Sequence, residues 1–331
     1  MSGAGLAAAT QRGSARERAA RGLRAPRALS AQGLAALEAA VDAHLARSGS
    51  ASYRASREGQ RARQQLLHAR CERSRRKVVP WLASALPLDG ARILEVGCGT
   101  GSSSLALAEQ GARLTSIDLD AGAIALARRR CELHELAPPE FVAGNAVELL
   151  PKLRRGAFDL ILFYACLEHM TLDERLAALR ASWQRLAPGQ LLGVVETPNR
   201  LWPIDRHTSL LPFFHWLPDA LAFAWSAQSP RASLRERCGE ASPEAMREFL
   251  RRGRGVSFHE FSLALGCAGP LPVVSSLAEC ERRRQPWPRR LRARLRPDTD
   301  ARCRALLREL APGLHPGFCE RNLDLILRAG D

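Results

Sequence analysis

The sequence contains very little lysine and none of the cysteine patterns that hold small secreted proteins together. Lys77 and Lys152 are the two lysines among 49 basic residues. The nine cysteines are an odd number, with no C-x-x-C pair and no cysteine–histidine spacing typical of zinc. We therefore expect free thiols in a reducing cytoplasm, without a disulfide framework and without a metal site.

Long apolar runs are also missing. No stretch of about 18 uncharged apolar residues occurs, and the N-terminus lacks the apolar segment of a secretory signal. Both absences predict a protein without a transmembrane segment. The N-terminus is rich in arginine and poor in acidic residues, as organelle transit peptides are, although disordered tails commonly share this composition.

The net charge of +15 raises the question of a nucleic-acid partner. The surplus lies in the N-terminal tail and in residues 282–296, and the heavy use of Ala, Arg, Leu and Gly indicates a coding bias toward arginine. We therefore favour a solvated basic surface, with a small molecule as the partner and nucleic acid as the alternative. The oligomeric state cannot be predicted.

The spacing of apolar residues divides the chain into five parts. Low-complexity sequence comes first, helical spacing follows, and from Arg92 short apolar runs alternate with helical segments. The predicted parts are a disordered basic tail (1–33), an N-terminal helical region (34–88), an α/β core (89–198), a helical aromatic-rich insertion (199–254), and C-terminal strands with a basic helical insertion (255–331).

The alternation after Arg92 is typical of a parallel sheet covered on both faces by helices. Five runs predict its strands: 93–96, 114–117, 140–143, 158–163 and 191–195. Strands resume near 256–263 or 271–277, and the last is 323–327. The fold class is therefore α/β, a doubly wound and mostly parallel sheet.

A glycine-rich turn joins the first strand to the following helix. Gly97, Gly99 and Gly101 allow a sharp bend with positive φ and let the backbone approach a ligand. A dinucleotide-binding turn would have a third glycine at the position of Ser104, so a nicotinamide or flavin cofactor is disfavoured.

Polar residues end the next two strands. Asp118 closes the second strand, where a carboxylate can accept hydrogen bonds from both ribose hydroxyls. Asn145 follows the third strand, where its amide could meet an adenine edge. Because the carboxyl ends of neighbouring parallel strands share one sheet edge, these positions predict a nucleoside site, although each residue alone could simply form a turn.

This core resembles class I S-adenosylmethionine-dependent methyltransferases over roughly residues 92–196 and the closing strands. The resemblance implies a Rossmann-like seven-stranded sheet, S-adenosylmethionine as cofactor, and a set of cofactor-binding residues: Glu95, which would order the loop, Gly97, Cys98, Gly99, Gly101, Asp118, Leu119, Asn145, Ala146 and Ala165. Asn145 departs from the aspartate more usual in that family.

The insertion carries six of the 18 aromatic residues within 202–225 and two histidines. Its aromatic rings would either form a lid over an acceptor or pack a helical subdomain. A hydroxyl or amine acceptor needs a base, for which His207 is the first candidate, followed by His215 and His169. Further acceptor contacts are expected from Glu196, Asn199, Trp202 and His259.

The sequence therefore predicts an enzyme that methylates a small molecule on oxygen or nitrogen. A nucleic-acid methyltransferase of the same fold is the first alternative, although the N-P-P-[YF] motif of exocyclic-amine methylation is missing at TPNR, residues 197–200. A non-catalytic protein that only binds the cofactor is the second alternative. Nothing in the sequence identifies the acceptor.

Overall fold

The computed structural model describes residues 22–235, 242–267, 269–288, 291, 295 and 297–330. Most of the predicted basic tail, residues 1–21, lies outside these ranges. Within the described ranges, the first helix begins at Ala31, before the predicted boundary at residue 34, because the Ser30 side chain caps it by accepting from the Gly33 N–H. Among the described residues, every helix is too short or too polar to cross a membrane.

Seven strands form one mixed sheet in the order β3-β2-β1-β4-β5-β7-β6. Their bounds are β1 Arg92–Val96, β2 Arg113–Asp118, β3 Glu140–Ala143, β4 Leu160–Tyr164, β5 Leu191–Pro198, β6 Val273–Ser276 and β7 Asn322–Arg328. β2 pairs in parallel with β1 and with β3, whereas β7 runs antiparallel to β5 and β6. The predicted fold class is confirmed, and so are the five core strands, with ends shifted by a few residues.

One of the two predicted positions for the sixth strand is wrong. Residues 258–265 form a helix, Phe258–Leu265, and the strand lies at Val273–Ser276. The helix is favoured because Phe261 and Leu265 are buried four residues apart, and because the Glu260 carboxylate accepts from the Ser257 N–H at 3.0 Å.

The chain forms two compact units. The amino-terminal unit consists of the described residues of Met1–Lys152 and Gly156–Leu162, and the carboxy-terminal unit consists of those of Leu153–Arg155 and Phe163–Asp331.

The amino-terminal unit contains the predicted N-terminal helices and the helices that follow β1, β2 and β3. They are Ala31–Ser48, Ala51–Ala55, a continuous helical run over 57–82 with two π-helical turns, Ser102–Ala108, Ala121–Leu133 and Ala146–Leu149. As expected, Asp120 caps its helix by accepting from the Gly122 N–H. Apolar side chains of Ala31–Ser48, including Leu37 and Val41, are buried with Leu126 of Ala121–Leu133.

The carboxy-terminal unit contains the capping box predicted at Thr171 and Glu174, and its helices continue through the insertion. The helices are Leu172–Arg185, Asp219–Trp225, Ala232–Arg235, Pro243–Leu250, Phe258–Leu265, Leu277–Arg284 and Thr299–Leu310. Within the insertion, Phe214 and Phe223 pack edge-to-face against Phe249 and form a local apolar core.

Candidate functional site

The glycine turn after β1 has the conformation that its sequence predicts. Gly97, Gly99 and Gly101 have φ angles of 83°, 49° and 78°, in the left-handed region that side chains disfavour. A Cβ on Gly101 would lie 2.6 Å from the Ala127 Cβ, whereas a Cβ on Gly99 would meet no described residue within 4 Å. Gly101 is therefore required by packing, and the α-carbon of Gly99 borders open space.

The Asp118 carboxylate at the end of β2 holds the glycine turn in place. Its Oδ2 accepts from the Gly99 N–H at 2.7 Å, and its Oδ1 accepts from the Asp120 N–H at 2.9 Å. Each carboxylate oxygen has two acceptor positions, so the group can still accept hydrogen bonds from a ligand. The next residue, Leu119, is 67% exposed although it is apolar.

Glu95 lies fully buried in β1, beneath the turn. Its Oε2 accepts from the Ser104 hydroxyl at 2.5 Å and from the Ser116 hydroxyl at 3.0 Å. Burial raises the pKa of Glu95 above its ordinary value, although serine hydroxyls oppose the shift. The sequence analysis considered Ser104 only as the position where a dinucleotide-binding turn would have a glycine, and it did not predict the contact with Glu95. The hydroxyl-bearing residue three positions after Gly101 could have suggested this contact.

Asn145 follows β3 and caps the short helix Ala146–Leu149. Its Oδ1 accepts from the Val147 N–H at 3.0 Å, and Ala146 is buried behind it. The amide oxygen keeps a second acceptor position and Nδ2 offers its donors, so the Asn145 side chain can still meet an adenine edge. Cys98, in the glycine turn, is buried and its N–H donates to the Ile117 carbonyl.

In the carboxy-terminal unit, the segment after β4 begins with strained backbone. Ala165 has a φ of 47°, and its N–H donates to the Val195 carbonyl at 2.9 Å. A 3-10 turn, Leu167–His169, then places Glu168 fully in the interior. Burial raises the pKa of Glu168 to about 8, and the charge of Glu196 contributes in the same direction.

Two of the three candidate catalytic histidines meet at this buried acid. Nε2 of His207 lies 3.5 Å from Oε1 of Glu168, and Nε2 of His169 lies 3.8 Å from the same oxygen. Burial lowers the pKa of His207 to about 4, and the nearby His169 adds to the effect. His207 is therefore neutral near pH 7. We call Glu168, His169 and His207 the Glu-His-His cluster.

The third candidate, His215, is buried, and its two ring nitrogens have different surroundings: Nδ1 is hydrogen-bonded, whereas Nε2 makes an ion-pair contact. Its Nδ1 accepts from the Gly255 N–H at 3.0 Å, and its Nε2 lies 3.2 Å from Oδ1 of Asp205. Asp205 also accepts from the His207 N–H, so these contacts connect His215 to the turn that carries His207, and a catalytic role of His215 stays a prediction.

The four candidate acceptor contacts differ in their surroundings. Asn199 is buried, donates from Nδ2 to the carbonyls of Phe318 and Glu320, and accepts at Oδ1 from the Leu201 N–H. Trp202 is also buried, and the Arg321 guanidinium lies 5.7 Å from its ring centre.

Glu196 has a φ of 59° and accepts from the Tyr164 hydroxyl at 3.3 Å. His259 is exposed and stacks on Phe258 at 3.9 Å. Both N–H groups of the Asn199 amide are thus used within the fold, and a contact of Asn199, Glu196, Trp202 or His259 with an acceptor stays a prediction.

The aromatic residues of the insertion divide into two groups. Trp202, Phe214 and Phe223 are buried, as a packing role predicts. Phe213, Trp216 and Trp225 are between 41% and 51% exposed, as a lid or binding surface would require. Packing thus accounts for three of the rings, and a lid formed by the exposed rings stays a prediction.

Comparison with known proteins identifies the glycine-turn region. Residues 93–189 match the family described as a methyltransferase domain. The ubiquinone biosynthesis O-methyltransferase of Xanthomonas campestris pv. campestris (strain B100) is 38% identical over 122 residues, which cover 36% of this chain and 48% of that protein. The cypemycin N-terminal methyltransferase of Streptomyces sp is 32% identical over 117 residues, covering 34% and 44%.

A solved structure, an S-adenosylmethionine-dependent methyltransferase from Methanosarcina mazei, is 30% identical with a TM-score of 0.32 and covers 36% of this chain and 57% of that one. The chain spans about half the length of the curated relatives it matches. Residues 93–189 therefore form a methyltransferase domain.

Proposed function

We propose that this chain transfers a methyl group from S-adenosylmethionine to an oxygen or nitrogen of a small molecule. The observation that carries the proposal is the hydrogen bond between the Asp118 carboxylate and the Gly99 N–H. It joins the predicted ribose-binding acid to the predicted nucleoside turn within the matched domain.

The residues after β1, β2 and β3 suit this cofactor. The open side of Gly99 admits a ligand against the backbone, and the remaining acceptor positions of Asp118 suit two ribose hydroxyls. The exposed Leu119 offers an apolar face to an adenine ring, and the Asn145 Nδ2 offers a donor to a ring nitrogen. When bound, S-adenosylmethionine supplies an electrophilic methyl group.

We assign acceptor binding to the carboxy-terminal unit. His207 remains our first candidate for the base that removes the acceptor proton, because its Nδ1 contacts Thr208 and its neutral Nε2 carries a lone pair. One matched relative is named an O-methyltransferase and another an N-terminal methyltransferase, so both acceptor atoms are retained. The cytoplasm is the proposed compartment, since the cysteines in the described part of the chain are free thiols.

The experiment is to incubate purified protein with a cell extract and S-adenosylmethionine labelled in its methyl group, and to separate the products by mass spectrometry. We expect label in a small molecule together with S-adenosylhomocysteine. Label in RNA or DNA would support the nucleic-acid alternative instead. Cofactor binding without either product would identify a non-catalytic binding protein.

His207→Ala tests the proposed base. We expect a large loss of turnover with cofactor affinity near that of the wild type, because the residues assigned to the cofactor are elsewhere in the chain. His68→Ala is the control, since His68 is an exposed histidine that is assigned neither to the cofactor nor to the acceptor. Unchanged turnover in His207→Ala would remove His207 from the mechanism.

A further inference from the structure

The Glu-His-His cluster brings together three electron-pair donors. The ligand atoms of Glu168, His169 and His207 all lie within 4.8 Å of one another. Glu168 is fully buried, and its Oε1 has no hydrogen-bond partner among the residues that the structure describes. A buried carboxylate oxygen without a partner is costly, so it points to a ligand that completes its surroundings.

The hydrogen bonds on the far sides of the two rings determine where their protons lie. His169 Nδ1 lies 2.8 Å from the Arg251 carbonyl, which can only accept, so Nδ1 carries the proton. Nε2 of neutral His169 therefore presents a lone pair toward Glu168.

The tautomer of His207 follows from its contact with Thr208. The Thr208 hydroxyl donates to the Gly253 carbonyl at 2.8 Å, so the same oxygen accepts from His207 Nδ1 at 3.1 Å. Nε2 of His207 thus also presents a lone pair toward Glu168. Metal-binding histidines typically have this arrangement, in which the other ring nitrogen donates to a carbonyl or another fixed oxygen.

The distances within the cluster suit a metal ion better than a shared proton. The separations of 3.5 and 3.8 Å from Glu168 Oε1 are longer than ordinary hydrogen bonds. Bonds of about 2.1 Å to a tetrahedral ion place its ligand atoms about 3.4 Å apart. A single proton on Glu168 could be donated to Nε2 of only one of the two histidines. Nε2 of the other histidine would then face an oxygen that has no proton to donate.

From this convergence of two Nε2 atoms on a buried carboxylate oxygen, we infer that Glu168, His169 and His207 bind one divalent transition-metal ion, with Zn²⁺ as the leading candidate. Two imidazole ligands favour a first-row transition ion over Mg²⁺ or Ca²⁺, which prefer oxygen. The side chains of His169 and His207 are 44% and 34% exposed, so an ion can enter from solvent and retain a position for another ligand.

The inference rests on the proposed function in one respect, which concerns the acceptor. An acceptor oxygen bound to the metal would lose its proton more readily. The metal would then perform the role that was first assigned to His207 as a base. The sequence indicated no metal, because Glu168–His169 and His207 are far apart in the chain and lack a short ligand spacing. The ion-binding inference itself is independent of turnover.

The test uses untagged full-length protein, stripped with a chelator and titrated with Zn²⁺ by calorimetry and with Co²⁺ by visible absorption. We expect one ion per chain and the intense absorption of Co²⁺ in a low-coordinate site. Glu168→Gln and His207→Ala should each weaken binding at least 100-fold. His68→Ala and His259→Ala, at histidines outside the cluster, should leave it unchanged.

Thr208→Val tests the supporting contact to His207. We expect a 10- to 100-fold loss of Zn²⁺ affinity, of the size found when metal-binding histidines lose their outer partner, and recovery in Thr208→Ser. Circular dichroism verifies the fold of each variant, and Glu168→Gln keeps the side-chain volume if His207→Ala does not fold.

Binding of no ion, or equal affinity in the wild type and Glu168→Gln, would overturn the inference. Methyl transfer by metal-free protein that binds no ion would overturn the metal site and leave the proposed function standing. Metal binding without any methyl transfer would support the metal site and contradict the proposed function.

Discussion

Nε2 of His215 lies 3.2 Å from Oδ1 of Asp205, and both side chains are buried in the carboxy-terminal unit. The same carboxylate accepts from the N–H groups of His207 and Thr208 at 2.8 and 2.9 Å and from the Ser209 hydroxyl at 2.8 Å. Although burial opposes ionisation, His215 and the backbone donors hold the pKa of Asp205 well below its ordinary value. The fixed charge thereby orders the turn that carries His207.

We predict that Asp205→Asn destabilises the protein. The substitution replaces a charged acceptor of several buried donors, so the free energy of unfolding should fall by about 2–4 kcal/mol. Urea denaturation measures the change, with the exposed Asp173→Asn as the control. A loss no larger than that of the control would show that the turn does not depend on this charge.

Asp118→Asn should weaken the binding of S-adenosylmethionine. The amide loses the charge that would accept from ribose hydroxyls, and its NH₂ group would face the N–H of either Gly99 or Asp120. We expect a loss of about 1–3 kcal/mol, on the order of a 5- to 150-fold higher Kd, measured by calorimetry. Equal affinities of the variant and the wild type would contradict the assignment of Asp118 to the cofactor.

Two glycine substitutions should separate binding from stability. Gly101→Ala combines a φ of 78° with a Cβ 2.6 Å from that of Ala127, so it should lower the free energy of unfolding by more than the ~1–2 kcal/mol of left-handed strain alone. Gly99→Ala should cost only that strain but strongly reduce cofactor affinity, since its Cβ enters the proposed ligand space.

The matched control for this pair is Gly90→Ala, because Gly90 has a φ of 74° and no atom of the described part of the chain lies within 4 Å of the added Cβ. Thermal melts measure the stability of the three variants, and calorimetry measures their affinity for the cofactor. If Gly99→Ala bound the cofactor as well as Gly90→Ala does, the cofactor would not lie against the turn at Gly99.

Glu95→Gln should change the pH dependence of stability. Because burial raises the folded-state pKa of Glu95 above 4.5, the folded protein holds this proton more tightly than the unfolded chain does. The stability that protonated Glu95 contributes is therefore complete at pH values below the pKa of Glu95 in the unfolded chain. It is lost as the pH rises through the pKa of Glu95 in the folded protein.

The measurement is urea denaturation of cofactor-free protein from pH 4.5 upward. The free energy of unfolding should decline less with rising pH in Glu95→Gln than in the wild type. Glu148→Gln, at an exposed glutamate, should follow the wild type. Parallel pH profiles for wild type and Glu95→Gln would show that the Glu95 carboxyl titrates as it does in the unfolded chain.

The sequence by itself determined the α/β alternation, the five core strands, the glycine turn and the caps at Asp120 and Thr171. These features depend on spacings of a few residues, where backbone conformation and side-chain periodicity decide the outcome. The position of β6 was left open between two segments because a short apolar run fits both a helix and a strand.

Tertiary structure alone decided which polar residues meet. Ser104 and Ser116 reach Glu95 from a helix and a neighbouring strand, and His169 reaches the Arg251 carbonyl across 82 residues. Burial of Glu168 depends on the packing around it, so neither its raised pKa nor its approach to His207 has a local signal. Chain folding brings these groups together because long-range packing, rather than sequence proximity, sets their distances.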